Sequence, residues 1–313
     1  MYHIAAMPAL ADAAVARWIR RELAAHPPRA RSLVVTVWGD TLAPHGGDVW
    51  LSTLIRLLAP FGVNERLVRT SVFRLAADGW LESRARGRRT RYRLTADGAR
   101  RFSLAYRRVY TPPFGPWDDT WELVVLPGDA ALAGERRRLR DELALSGFAM
   151  LAPGVHARPR RLRGAADVVP SLPSRAIHVV ARDLPDAGGA SLAAQVGDAF
   201  GLATLAVDYR AFLGRFVSVA AAFGRAPGPT PEQAFVVRTL LVHGYRRVRL
   251  RDPQLPAALL PAAWPGRAAY DLCRDVYRAA EPLAAAHLAA ALAADREPLL
   301  PALPEFLTRF ERS

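Results

Sequence analysis

Nine side chains between Arg66 and Arg91 carry the most distinctive chemistry of this chain: Arg66, Arg69, Thr70, Phe73, Arg74, Arg86, Arg88, Arg89 and Arg91. A guanidinium is permanently charged and presents a rigid fork of donors. It pairs with phosphate oxygens, or bidentately with the major-groove edge of guanine. The Thr70 hydroxyl can bond a base edge. An exposed Phe73 ring can touch a thymine methyl, or pack against a partner or the adjacent hairpin. The set is suited to a polyanion.

These residues need a helix and a hairpin to present them. Asn64 is a good helix N-cap. On a 100° wheel, Leu67, Val68, Ser71, Val72 and Leu75 share one face, with Arg66, Arg69, Thr70 and Phe73 opposite. Gly79 ends the helix. Strands at Trp80–Arg84 and Thr90–Leu94 follow, joined across an Arg-Gly-Arg-Arg tip, and Arg89, Arg91 and Arg93 alternate along the second with a period of two. Upstream, residues 30–43 read as helical, Pro44–Gly47 as a turn and Val49–Leu51 as a short strand. Ser52 is expected to cap the next helix, closed by Pro60 and Gly62. A last helix is expected from Thr95 to about Tyr110. Cap, helix and hairpin in this order predict a winged helix-turn-helix. Its helix reads bases through Arg66, Arg69 and Thr70, and its wing grips phosphate or the minor groove through Arg86, Arg88, Arg89 and Arg91.

The charge map agrees. Through Gly115 the chain has 19 Arg against eight acidic residues, a net of +11; from Pro116 onward it has 24 against 21, a net of +3. All 43 basic residues are Arg, with no Lys, which points to a coding bias. Bias would spread Arg evenly, so its segregation is the informative part, and it implies a polyanion partner for the first third. At 313 residues the chain is long enough for two or three domains. A single cysteine, Cys273, excludes an internal disulfide and a cysteine-only metal site. No apolar run is long enough to span a bilayer, and the N-terminal Arg residues follow the apolar stretch instead of preceding it. A cytoplasmic location without membrane contact is expected.

No phosphate-binding glycine loop, metal-spaced His/Cys set or nucleophile–base pair is present, so no enzyme, cofactor or metal is expected. His178 in an apolar strand reads as a core residue, and Asp118 and Asp119 read as solvated linker carboxylates. The fold class is α+β and multidomain. Residues 1–29 form an extension with a short amphipathic helix carrying Trp18, Ile19 and Leu23 on one side. Residues 30–111 form the winged helix, with Pro112–Pro116 as linker. Residues 112–189 hold strands at TWELVVLP, GVHARP and AIHVVA around a helix at GERRRLRDELALSGF, a pattern that suggests a ferredoxin-like sandwich. A break at Asp183–Gly189 leads into a mostly helical domain over 190–313.

The run from Trp38-Gly39-Asp40 through WLSTLIRLLAPFGVNERLVRTSVFRLAADGWL and GRRTRYRLT resembles the PaaX-type repressors of phenylacetic acid degradation. The likeness continues through Arg107–Tyr110, LAPGVHARP at Leu151–Pro159 and LVHGYRRVRLRDPQLPAALLPAAWPG at Leu241–Gly266. The resemblance implies an N-terminal winged helix and a middle domain similar to a small CRISPR-associated ferredoxin-like nuclease. It also implies a homodimeric repressor of aromatic-catabolic genes that leaves double-stranded operator DNA when phenylacetyl-CoA binds. Ser and Tyr are usual where this chain has Thr90 and Arg91, a departure in the wing. A relative acting on a different acyl-CoA pathway, or as an activator, is the alternative within the family. RNA binding or nuclease action by the middle domain is the alternative outside it, and the near-neutral charge after Gly115 argues against it. A coenzyme A effector needs cationic donors. Two clusters offer them: Arg158, Arg160, Arg161 and Arg163, and the preferred one, Arg246 and Arg247 with Arg249, Arg251, His243 and Tyr245.

Overall fold

The computed structural model describes residues 9–113, 117–126, 139–140, 142–144, 146–160, 172, 175–182, 192–223, 228–307 and 309–310. The expected break at Asp183–Gly189, seven of the fifteen residues of the GERRRLRDELALSGF helix, and Arg161 and Arg163 lie outside them. The chain forms two compact units. One comprises the residues up to Thr111, Ala211–Arg249 and the chain from Ala268. The other comprises Pro112–Arg210 and Leu250–Arg267.

In the first unit, α1 (Ala9–Ala25) buries Val15, Trp18 and Glu22. The Trp18 indole N–H donates to the Arg215 carbonyl at 3.1 Å, and Glu22 pairs with the Arg215 guanidinium. Helix α2 (Ala30–Val37) runs into a π-helical turn at Trp38–Leu42 and a 3-10 turn at Ala43–His45. Then come β1 (Val49–Trp50), α3 (Leu51–Leu58), α4 (Glu65–Ala77), β2 (Leu81–Arg86), β3 (Arg89–Leu94) and α5 (Ala96–Tyr110). Three strands form an antiparallel sheet in the order β1-β3-β2. Ser52 does not cap α3: the helix starts at Leu51, and the Ser52 hydroxyl donates to Asp295 at 2.9 Å. Competition from a distant carboxylate explains why a good capping residue stands inside the first turn.

Two glycines fix the route from α4 to α5. Gly79 adopts φ 74°, where a side chain is strained, and so terminates α4. A Cβ on Gly98 would lie 2.1 Å from the Trp80 carbonyl oxygen, so α5 can start this close to the hairpin only with glycine there. Thr95 caps α5 by accepting from Gly98 N, and its hydroxyl donates to the Gly79 carbonyl.

The last two segments of this unit complete its core. In chain order α6 spans Leu192–Ala199, α7 Leu202–Ala220, α8 Pro231–Arg249 and α9 Gly266–Ala293. Every residue of α8 from Ala234 to Tyr245 is buried, as expected of a helix enclosed on all sides. Its buried guanidinium is partnered. Arg238 lies 3.3 Å from the Asp40 carboxylate, donates to Thr41 Oγ1 at 2.9 Å and pairs with Glu281. Asp40, in the π turn, also accepts from the Tyr110 hydroxyl and lies 3.6 Å from Arg309. Phe310 meets Tyr110 edge-on and packs at a tilt against Tyr270 and Tyr277.

The second unit holds an antiparallel sheet of β4 (Thr120–Val125), β5 (Ala149–Ala152), β6 (Val155–Pro159) and β7 (Ile177–Arg182), in the order β5-β6-β4-β7. Sequence patterning misses β5, which is only four residues long and pairs irregularly around Met150 and Ala152. Val124, Leu126, Leu139, Leu143 and Phe148 form its core. Glu122 and Arg158 make a buried ion pair at 2.9 Å across β4 and β6. Asp118 accepts from Thr120, and that hydroxyl bond holds its carboxyl below the usual carboxylate range. No helix among the described residues is long and apolar enough to cross a membrane.

Candidate nucleic-acid interface

Helix α4 forms because Asn64 accepts the Leu67 N–H at 2.9 Å and because Val68, Ser71, Val72 and Leu75 give it one buried face. Leu67 departs from the wheel: it is 47% exposed, and the buried stripe begins one turn into the helix. The opposite face, with Arg66, Arg69, Thr70, Phe73 and Arg74, is exposed, and Phe73 is 71% exposed. Arg69 is held by Glu65, one turn earlier, at 2.8 Å from its Nε. Thr70 donates back to the Arg66 carbonyl at 2.9 Å, which leaves its hydroxyl oxygen as an acceptor.

The hairpin register sorts its arginines. Glu82 stands opposite Arg93, Arg84 opposite Arg91 and Arg86 opposite Arg89, so all six share one face. Gly87 turns the tip at φ 59°. On that face Arg89 and Arg91 are not free. Their guanidiniums lie 4.1 and 5.3 Å from the Trp50 ring centroid, and Arg91 is directly across from Trp50 in the sheet. Arg89 pairs with Asp295, and Arg91 with Asp48 at 2.6 Å and Glu297 at 2.7 Å. The Trp50 indole N–H donates to the same Glu297 at 2.9 Å. Asp295 is further bonded by Ser52, Thr53 and Arg56; burial opposes its ionisation, but these hydrogen bonds outweigh burial and hold its carboxyl below the usual range.

Among the described residues, Arg66, Arg74, Arg84, Arg86 and Arg88 have neither an acidic nor a hydrogen-bonding partner. These five exposed guanidiniums are spread over α4 and the hairpin. Arg84 is absent from the sequence-based set because that reading ended the strand there; its period-two spacing from Arg86 is the signal that marks it. Asp295 and Glu297 left no local signal, since they lie more than 200 residues from the arginines they hold.

The preferred effector cluster lies elsewhere. Tyr245 is buried against Phe212, with ring centroids 5.5 Å apart. His243 Nδ1 lies 2.9 Å from Thr36 Oγ1, and burial followed by the Arg246, Arg247 and Arg215 charges pushes its imidazole down to about 3. Arg246 donates to Ser32 Oγ at 3.1 Å, while Arg247 is exposed. His243, Tyr245 and Arg246 are thus engaged in helix packing. Arg249 donates to the Arg108 carbonyl at 3.0 Å, and Arg251 pairs with Asp208 at 2.8 Å. Of the other cluster, Arg158 is committed to Glu122 and to the Ser146 carbonyl.

Residues 29–98 match the PaaX-like protein family, residues 115–176 match the PaaX protein central Cas2-like domain, and residues 200–290 match the PaaX-like protein C-terminal domain. The chain is 34% identical over 274 residues to the transcriptional repressor PaaX of Escherichia coli (strain K12), covering 86% of each protein. The chain belongs to the PaaX family. Among solved structures it is similar to an uncharacterized protein from Mycobacterium tuberculosis, with 25% identity, a TM-score of 0.49, and coverage of 88% of this chain and 97% of that one. For a PaaX-family chain the architecture is mixed helix and sheet, with a central Cas2-like domain and a helical C-terminal part.

Proposed function

We propose that this chain is a sequence-specific transcriptional repressor of aromatic, phenylacetate-type degradation genes. It binds double-stranded operator DNA through a winged helix-turn-helix made of α2 to α5 and the β2–β3 hairpin. The observation that carries this reading is the set of exposed guanidiniums, Arg66, Arg74, Arg84, Arg86 and Arg88, unpartnered among the described residues, on one capped helix and its hairpin. The name of the Escherichia coli relative supports the repressor role. Arg66, Arg69 and Thr70 read bases, with Phe73 beside them. Arg74, Arg84, Arg86 and Arg88 neutralise phosphates, and Arg89 and Arg91 fix the wing. The strand order β5-β6-β4-β7 is that of a ferredoxin-like sandwich and supports that fold for the middle domain. The protein is a regulator and not an enzyme.

On this reading the protein is a cytoplasmic homodimer, and its two recognition helices address half-sites about one helical turn apart. An aryl-CoA such as phenylacetyl-CoA releases it by binding the DNA-incompetent arrangement more tightly. A roughly 100-fold preference, about 2.7 kcal/mol, suffices to shift occupancy. The test is fluorescence anisotropy of the full chain on DNA from its own promoter, with and without phenylacetyl-CoA. Tight, salt-sensitive binding reversed by the thioester is expected. Binding that ignores the thioester removes that effector and keeps the DNA function; no preference for promoter over unrelated DNA removes the repressor reading.

A further inference from the structure

The first unit contains a cavity of about 390 Å³ between the π turn, α8, α9 and the segment that follows α9. That size falls within the range of roughly 300–1,000 Å³ typical of small-molecule sites. Its lining is of two kinds. Pro282, Ala285, Leu288 and Phe306 are apolar. Asp40, Glu281, Arg238, Arg278 and Arg309 are charged, so three guanidiniums stand against two carboxylates among the described lining residues. Arg238 and Arg309 are deeply buried, with side-chain exposures of 4% and 9%, and the Nε of each lacks a hydrogen-bond acceptor. The excess of guanidiniums over carboxylates in the lining favours an oxygen acceptor in the cavity. Both features ask for the same molecule: an apolar body ending in an oxygen acceptor.

The segment after α9 ties this cavity to the hairpin. Ala302, Phe306, Leu307 and Arg309 line the cavity. A few residues earlier, Asp295 holds Arg89 and Glu297 holds Arg91 and Trp50. Between the two, the Leu300 carbonyl contacts His45 Nδ1 at 2.6 Å, and Leu303 N donates to the Pro44 carbonyl at 2.8 Å. A molecule that displaces the cavity side of this segment acts on the carboxylates that fix the hairpin.

We propose that this cavity is the ligand site, that it takes an aryl or acyl group ending in a carbonyl or carboxylate oxygen, and that residues 295–309 relay its occupancy to the hairpin. The proposal rests on the effector reading above. It moves the ligand site away from His243, Tyr245, Arg246 and Arg247, and it gives release of DNA a physical route.

The test is isothermal titration calorimetry of the full chain with two probes, phenylacetyl-CoA and free phenylacetate, which separate a thioester carbonyl from a carboxylate. Ala285→Trp fills the cavity from α9. Ala302→Leu fills it from the non-helical segment and serves if the first variant does not fold. At least tenfold weaker binding of whichever probe the unmodified protein takes is expected. The double variant Asp295→Asn, Glu297→Gln is expected to bind that probe within threefold of the unmodified protein while its DNA affinity no longer responds to it. Unchanged probe affinity in the filled variants overturns the cavity site and leaves the effector reading standing. A DNA response kept by the double variant overturns the relay. No binding of either probe to the unmodified protein overturns the effector reading and this proposal with it.

Discussion

Arg91 on β3 and Glu297, beyond the end of α9, are joined by a 2.7 Å hydrogen bond across more than 200 residues of chain. The pair is three-quarters shielded from solvent, with side-chain exposures of 26% and 28%, and Glu297 also receives the Trp50 indole N–H. Glu297→Gln keeps an acceptor for Trp50 and removes the charge. The expected loss is about 0.2–1 kcal/mol of stability, the ordinary worth of a partly exposed ion pair, measured by urea denaturation. An unchanged midpoint would show that the Trp50 ring and the remaining ion pairs with Asp48 and Asp295 suffice to fix β3.

The tip arginines Arg86 and Arg88 are exposed and unpartnered among the described residues. Each phosphate contact contributes about 0.9 to the slope of log affinity against log salt, so Arg86→Ala, Arg88→Ala flattens that slope by up to about 1.8. Anisotropy titrations at several salt concentrations check it. The loss is expected equally on operator and scrambled DNA, because phosphates carry no sequence.

Arg66 behaves differently if it reads a base. It stands in the first turn of α4, exposed and without a partner among the described residues. Arg66→Ala is expected to cost about 1–3 kcal/mol on the operator and far less on scrambled DNA. An equal loss on both would make Arg66 a phosphate contact.

His243 gives the fold a pH dependence. Its imidazole is pushed from 6.5 down to about 3, first by burial and then by Arg246, Arg247 and Arg215. Between these values the unfolded chain binds a proton that the folded chain refuses. Stability therefore falls as pH drops through that window and is unaffected above it. His243→Gln is expected to flatten the fall in Tm between pH 6.5 and 5, read by calorimetry. A slope equal to that of the unmodified protein would assign the acid sensitivity to other groups.

Local chemistry made α4 and the hairpin legible before any coordinates. Asn64, Gly79 and Thr95 act through hydrogen bonds or dihedrals within three or four residues, as a capping argument assumes. The period-two arginines of β3 share one face of the strand, as their spacing implies. What the pattern could not say is which arginines stay available. Arg89 and Arg91 are taken by carboxylates more than 200 residues away, and Ser52 by the same Asp295. Burial on α8 was hidden for a related reason. A run of Arg, His and Tyr on α8 reads as polar and therefore exposed, yet the helix is enclosed and His243 and Tyr245 sit inside its packing.

The first unit is assembled from three separate stretches of chain. Leu33, Val34 and Val37 on α2 are fully buried there, and Thr36 from the same helix meets His243 of α8. A gene fragment ending at Thr111 would therefore strip α2 of its packing against α8 and leave part of its apolar side in water. On the proposed reading, α4 and its hairpin therefore cannot be grafted onto another sensor as a cassette, and specificity would be exchanged between relatives by point substitution on these two elements.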